Sequence, residues 1–264
     1  MKRGSSMSHD VWDPGQYERF REERDQPFLD LLALVRPRPG MRVVDLGCGT
    51  GRLTQLLHRR LGAQDTLGID SSAAMLAESR AFAGDGLRFE QGEIARFEPR
   101  EPYDLVFSNA ALHWVPGHAA LFRRLTDALG EGGQLAIHVP ANFHHPSHVV
   151  AAEVAREPPF REALGASLPA TKPVLDPEEY ARLLDQLGYR EQHVRLQVYG
   201  HRLPCRDDVV EWVKGTLLTP YKRQLPADLY ARFLERYRER LLPRLEDTRP
   251  HFFPFKRILL WAAR

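Results

Sequence analysis

Two signals alternate along the chain. Short, mostly apolar runs recur at 43–44, 66–69, 87–91, 103–108 and 134–139, each closed by an acid or by turn residues, which predicts buried strands. Between them, apolar residues fall three and four apart. Leu53, Leu56 and Leu57 mark a helix over 52–61, and further helices are predicted over 73–81 and 119–129, the last stopped by the glycines of 130–133. A helix over 149–156 and a loop over 158–172 follow. Asp176, Pro177, Glu178 and Glu179 then open another helix, with a cap, a first-turn proline and acids. Alternating side chains at 194–199 and an apolar run at 257–262 supply two more strands. Regular strand–helix alternation predicts an α/β fold with a doubly wound, seven-stranded, mostly parallel sheet.

Two stretches lie outside that alternation. Tyr17, Phe20, Arg24, Phe28, Leu31 and Val35 share one helical face, with an interruption expected at Pro27 and a stop at Pro37, Pro39 and Gly40. Arg24 sits on the apolar stripe, where a buried charge needs a partner: either Asp13 or Glu23, or a carboxylate of a ligand. The last two strands of such a sheet are usually joined by a short hairpin, yet more than fifty residues separate 199 from 257. Asp207 or Asp208 caps a helix through Val209, Val210, Trp212 and Val213. A second helix carries Leu225, Leu229, Phe233, Tyr237, Leu241 and Leu245 at spacings of four. This helical pair reads as a substrate lid near the strand carboxyl ends, or alternatively as an oligomer-forming arm. The resulting division is a disordered lead at 1–8, a helical cap at 9–40, an α/β domain at 41–200, the lid at 201–250 and the last strand at 251–264.

The chemistry concentrates at the ends of the strands. Asp45 closes the first strand, and Gly47, Gly49 and Gly51 form a turn in which the backbone can take positive φ and lie close to a ligand. The third glycine comes one residue too early for a dinucleotide fingerprint, and no G-K-[ST] follows to make a phosphate loop. Asp70 lies 25 residues after Asp45, at the end of the second strand, where an acid can hold both hydroxyls of a ribose; capping the next helix, with Ser71 and Ser72, is its other reading. Gly92, Glu93 and Ile94 follow the third strand. The fourth leads into Asn109, Ala110, Ala111, Leu112, His113 and Trp114, beside the switch in strand order where open sheets bind ligands. His113 is a base, a substrate contact or a structural histidine; Trp114 is a ligand cover or a core aromatic.

This combination resembles motif I and its successors in class I S-adenosylmethionine (AdoMet) methyltransferases. The resemblance implies AdoMet as the methyl donor. Asp45 would meet its cation, the backbone of Gly47, Gly49 and Gly51 its aminoacyl chain, and Asp70 with Ser71 its ribose. Glu93 and the Ile94 N–H would read the adenine, Asn109 would pass near the methyl group, and Arg24 would be a further donor-binding candidate. The family usually places Asp where this chain has Glu93.

Composition narrows the partners. With 27% charged residues and a net charge of +2, the 264-residue chain implies no strong polyanion-binding field, and the fourth strand ends in Ser-Asn-Ala-Ala rather than an N-P-P-Y tetrapeptide, so no nucleic-acid substrate is expected. No apolar run approaches about 18 residues, and no apolar leader follows Lys2-Arg3, so neither a membrane span nor a signal segment is expected and the cytoplasm is the expected compartment. Cys48 and Cys205 read as reduced thiols. Asn142, Phe143, His144, His145 and His148 form a histidine-rich turn without a thiolate or carboxylate set, which favours polar contacts over a metal. Oligomeric state has no signature in the sequence.

A narrower resemblance covers nearly the whole chain after Ser8. Trp12-Asp13-Pro14, Tyr17, Phe20, Glu23-Arg24, Pro27 and Leu31-Leu32 are similar to the opening of the trans-aconitate 2-methyltransferases. So are DLGCGTG at 45–51, GIDSSAAML at 68–76, SNAALHWVPGH at 108–118, PSHV at 146–149, EWVKGTLLTPY at 211–221 and FPFKRILLWAAR at 253–264. It implies methyl esterification of one carboxylate of trans-aconitate. An ionised carboxylate needs no general base, so no catalytic residue is assigned. Arg257, Tyr221, His148, Asn142 and Trp114 are the candidates for holding the acid, with Lys214, Thr216, Lys222 and Lys256 behind them. A phenol, an amine or another small acid, with His113 or Tyr221 as base where one is needed, and a non-catalytic AdoMet-binding module are the alternatives.

Overall fold

The computed structural model describes residues 21–165 and 174–264, with side chains from Asp25 onward. One seven-stranded sheet runs in the order β3-β2-β1-β4-β5-β7-β6. Its strands are β1 (Arg42–Leu46), β2 (Asp65–Asp70), β3 (Leu87–Gln91), β4 (Tyr103–Asn109), β5 (Leu129–Pro140), β6 (Glu191–Leu203) and β7 (His251–Ala263). The first five pair in parallel, while β7 is antiparallel to both β5 and β6. Helices α1 (Arg21–Leu32), α2 (Arg52–Leu61), α3 (Ala73–Ser79), α4 (His118–Asp127) and α7 (Pro177–Gln186) cover the faces. Val43, Val44, Leu105 and Val106 are fully buried, as strands covered on both faces require.

Several elements depart from the sequence pattern, among them the two longer strands and the third inserted helix described below. Pro27 does not interrupt α1, which runs through it. The lost hydrogen bond, worth about 3 kcal/mol, is offset because Phe28 and Leu31 bury completely against Phe107 and Leu259. β5 starts at Leu129, not at 134. The Gly130–Gly133 run does not end the helix, which stops at Asp127 with Ala128 as its C-cap; it lies inside the strand, near a register shift between Tyr103 and Leu105, with Gly132 at φ +65°. A short helix, α6 (Phe160–Leu164), lies in the stretch predicted as loop, its two buried residues four apart on one face.

β6 and β7 are each 13 residues long and pair throughout, from Glu191 opposite Ala263 to Leu203 opposite His251. β5 reaches β7 only as far as Arg257, opposite Pro140. The rest of β7 and its partner segment of β6 therefore form a two-stranded ribbon beyond the carboxyl ends of the parallel strands. The insertion grows from this ribbon: α8 (Asp208–Lys214), α9 (Thr219–Gln224) and α10 (Ala227–Leu241). Val209, Trp212, Tyr221, Phe233 and Tyr237 form one apolar cluster with Val150 and Val154 of α5 (Pro146–Val154), Phe160 of α6, and Phe253 and Phe255 of the ribbon. Glu153 and Glu157 of α5 and its flank pair with Arg236 and Arg240 of α10 and with Arg244 just after it. Among the described residues, no helix is long and apolar enough to cross a membrane, and no group of histidine, cysteine and acidic residues is placed to hold a metal.

Candidate active site

A cavity of about 440 Å³ opens at the carboxyl ends of β1, β2, β3 and β4 and is roofed by α9. Asp45, Gly47, Gly49, Asp70, Ser71, Glu93, Ile94, Asn109 and Trp114, widely separated in sequence, all line it. The turn after β1 makes this possible. Gly47 has φ +83°, and a Cβ there would lie 2.2 Å from Ala111 Cβ, so the turn after β1 packs directly against the Ala111 methyl beyond β4. Gly49 has φ +56°, and a Cβ there would meet nothing within 4 Å, so its bare face borders open cavity. Gly51 does not line the cavity. It is the N-cap of α2 and packs under Phe89 and Ser79, where a Cβ would clash at 2.7 Å.

Two carboxylates stand on this floor in different environments. Asp45 is 3% exposed, its Oδ2 accepting from Thr54 Oγ1 at 2.6 Å. Burial pushes its carboxyl up to about 7, Thr54 pulls it back and Asp70 adds repulsion. Asp70 is half-buried, with Oδ2 accepting from the Gly49 N–H at 2.8 Å and Oδ1 from the Ser72 N–H at 2.9 Å, so it ties the glycine turn to the end of β2. Capping of α3 falls to Ser72, whose Oγ accepts from Met75 N–H. Glu93 is exposed at the rim, 3.4 Å from Arg96. A buried carboxylate with no ion pair among the described residues, facing a cavity, fits a cationic ligand, and the open face of Gly49 fits a chain laid along the backbone.

On the other side of Asn109 lies a buried polar group. His138, 1% exposed on β5, places Nδ1 2.7 Å from Asn109 Oδ1 and Nε2 3.3 Å from Arg257 Nη1. Arg257 is buried on β7, with its guanidinium 4.7 Å from the Phe255 ring centroid and 5.6 Å from that of Tyr199. Asn142 Oδ1 accepts from the Lys256 N–H at 3.1 Å, while its buried Nδ2 has no partner among the described residues. His113 Nδ1 is likewise buried without a partner, and burial holds this imidazole down at about 3. His148, also held down to about 3 by burial, lies edge-on to Phe143 and Phe255. His145 is used structurally: its Nδ1 accepts from the Ser147 N–H and caps α5.

The other sequence candidates lie elsewhere. Tyr221 is buried in the inserted helices' apolar cluster, stacked on Phe233 at 4.8 Å, and does not line the cavity. The Arg24 side chain is outside the described residues. Sequence reasoning passed over Phe28, Arg52, Thr219, Pro220, Arg223 and Gln224, all on the cavity wall. Arg52 pairs with Asp25 and so brings α1 to the rim. The signal for the inserted-helix residues was Thr219-Pro220, a helix opening with proline in its first turn. Ala110, placed at the site by the sequence as part of the β4 end, lines the cavity; what the sequence did not signal is its backbone, a non-glycine at φ +55° holding the strained bend after β4.

A family profile described as "Methyltransferase domain" matches residues 17–194. The chain is 43% identical over 259 residues to a trans-aconitate 2-methyltransferase of Deinococcus radiodurans, covering 96% of this chain and 98% of the relative. It is 41% identical to one of Methylobacterium nodulans, with 96% and 98% covered, and 40% to one of Streptomyces avermitilis, with 96% and 97% covered. Among solved structures, the YcgJ protein of Bacillus subtilis superposes with a TM-score of 0.59 at 16% identity, covering 91% of this chain and 98% of that one. An S-adenosylmethionine dependent methyltransferase of Mesorhizobium loti gives 0.50 at 24% identity, covering 89% and 96%. The structures share the fold, and the sequence relatives carry the closer kinship. The chain belongs to the trans-aconitate 2-methyltransferase family, built on a methyltransferase domain.

Proposed function

We propose that this protein transfers the methyl group of AdoMet to one carboxylate of trans-aconitate, giving a monomethyl ester and S-adenosylhomocysteine. One observation carries the reading: the acid-and-glycine cavity adjoins, across Asn109 and His138, the buried guanidinium of Arg257. A cationic donor suits the first and a polyanionic acceptor the second. When bound, the donor supplies an electrophilic methyl on a sulfonium. Asp45 faces its cationic end, Gly47 and Gly49 lie along its aminoacyl chain, Asp70 with Ser71 takes the ribose, and Glu93 with Ile94 reads the base. Arg257, Asn142 and His148 hold the acid, Trp114 closes over it, and Tyr221 supports the lid above.

No residue has to move a proton. The attacking oxygen is already anionic at neutral pH, so the protein contributes approach and alignment, worth roughly 7–11 kcal/mol in well-oriented systems. A phenol or amine acceptor would need a base, and His113, with its imidazole held down to about 3, accepts protons poorly at neutral pH. The test is incubation with methyl-labelled AdoMet and a panel of di- and tricarboxylates, phenols and amines, with products identified by mass spectrometry. Label is expected in a trans-aconitate monomethyl ester. Label only in ethers or methylamines would overturn the reading.

A further inference from the structure

His138 is buried in β5 and does not line the donor cavity, yet it contacts Asn109, which does, and the buried Arg257. Its hydrogen bonds admit one arrangement of protons. A guanidinium can only donate, so Arg257 Nη1 makes His138 Nε2 an acceptor. A neutral imidazole that accepts at Nε2 carries its hydrogen on Nδ1. That hydrogen points to Asn109 Oδ1, 2.7 Å away, and an Asn109 amide turned the other way would set N–H against N–H. The Asn109 oxygen is therefore turned toward His138, which leaves its NH2 as the end for the cavity that Asn109 lines. The bend behind it is held as well: Ala110, at φ +55°, donates its N–H to the His138 carbonyl at 2.9 Å.

A pair of N–H donors beside a sulfonium repels that cation and suits an anion's oxygen. We infer that His138 is a positioning residue: its two ring nitrogens lock the Asn109 carboxamide and the Arg257 guanidinium so that both present hydrogen-bond donors to the incoming carboxylate. The inference rests on the carboxylate-acceptor reading above. In it, specificity for an anionic acceptor is set one layer behind the residues that touch it.

The test has a direct arm and a functional arm. Long-range 15N–1H spectra of the free protein, labelled at histidine, report the His138 tautomer; Nδ1–H is expected, and Nε2–H overturns the inference. In kinetics, His138→Met removes both hydrogen bonds at similar volume and is expected to raise the KM for the acid at least tenfold. Calorimetric affinity for S-adenosylhomocysteine should stay within threefold. His138→Gln, whose amide can donate to Asn109 and accept from Arg257, is expected to recover most of the loss. An unchanged acid KM in His138→Met, or equal losses of acid and S-adenosylhomocysteine affinity, overturns the inference. Should His138→Met fail to fold, the tautomer and the Gln variant still decide. Wild-type protein that binds no S-adenosylhomocysteine would instead sink the donor assignment, which the tautomer does not depend on.

Discussion

Thr54 Oγ1 donates to Asp45 Oδ2 at 2.6 Å, and Thr54 is fully buried while Asp45 is almost fully so, on the floor of the cavity. The hydroxyl favours the ionised carboxyl, but burial outweighs it and lifts Asp45 from 3.8 to about 7. In the ligand-free fold this costs stability as the pH rises from about 4 to about 7, because there the native state holds a proton that the unfolded chain has released. At about 1.4 kcal/mol per unit, the penalty at pH 7.5 relative to pH 4 is a few kcal/mol. Urea unfolding of wild type against Asp45→Asn should show the difference growing across that window.

The same carboxyl makes donor binding pH-dependent. A cationic donor calls for the ionised form, so affinity for AdoMet is expected to rise up to tenfold per unit as pH climbs from 6 towards 7 and to level off above it. Calorimetry in buffers of different ionisation enthalpy should show proton release on binding near pH 6.5. Asp45→Asn should bind weakly with no pH dependence, and a flat wild-type profile would refute the role.

Two of the cavity glycines, Gly47 and Gly49, separate folding from binding. Gly47→Ala puts a methyl 2.2 Å from Ala111 Cβ in a left-handed backbone, and should lower stability severely or abolish soluble protein. Gly49→Ala meets no atom within 4 Å, so its cost should be only the conformational ~1–2 kcal/mol. Its methyl enters the donor's space, however, and S-adenosylhomocysteine affinity should fall well over tenfold while the Tm drops by a few degrees. Native affinity in Gly49→Ala would remove the backbone cradle from the site.

How much of this was legible from residues alone depended on range. The β1 turn, Asp70 and the β4 end were readable because each is a local motif whose glycines and acids have few other uses. Strand lengths were not: nothing local in 200–203 or 251–256 says that the two segments pair with each other beyond the sheet, since that pairing spans some fifty residues. Pro27 misled because propensity was outweighed by the burial of Phe28 and Leu31. The acid side was half legible. Arg257 stood out as a charge in an apolar strand, whereas His138, which links it to Asn109, lies in an ordinary-looking β5 and becomes visible only through two hydrogen bonds.

Arg223 lies exposed on α9 at the cavity wall. A solvated cation at the mouth acts by steering more than by contact, and salt screens it over about 8–10 Å. The wild-type KM for a tricarboxylate should therefore rise with ionic strength between 0.02 and roughly 0.3 M. Arg223→Gln should raise the KM several-fold at low salt and flatten the salt dependence, with kcat nearly unchanged. A kcat loss equal to the KM change would place Arg223 on the reacting groups instead.

Arg240 on α10 reaches both Glu153 and Glu157, and Arg236 and Arg244 complete a chain of ion pairs holding the inserted helices to α5. Hydrogen bonds from Arg244 and Arg236 hold the two carboxyls below their usual 4.5. A depressed pKa gives stability that is present above about 4.5 and lost as pH falls through the lowered value. The pairs are partly solvated, which limits each to about 0.5–1 kcal/mol. Arg240→Met should thus cost about 1 kcal/mol at pH 7 and low salt, less at roughly 1 M salt, and little once the pH has fallen through the lowered carboxyl values. Because the pairs hold the inserted helices and not the sheet, amide exchange should quicken in 227–241 and 146–154 while 42–46 and 103–109 keep their protection. Equal acceleration in the central strands would mean that the inserted helices and the sheet unfold as one unit.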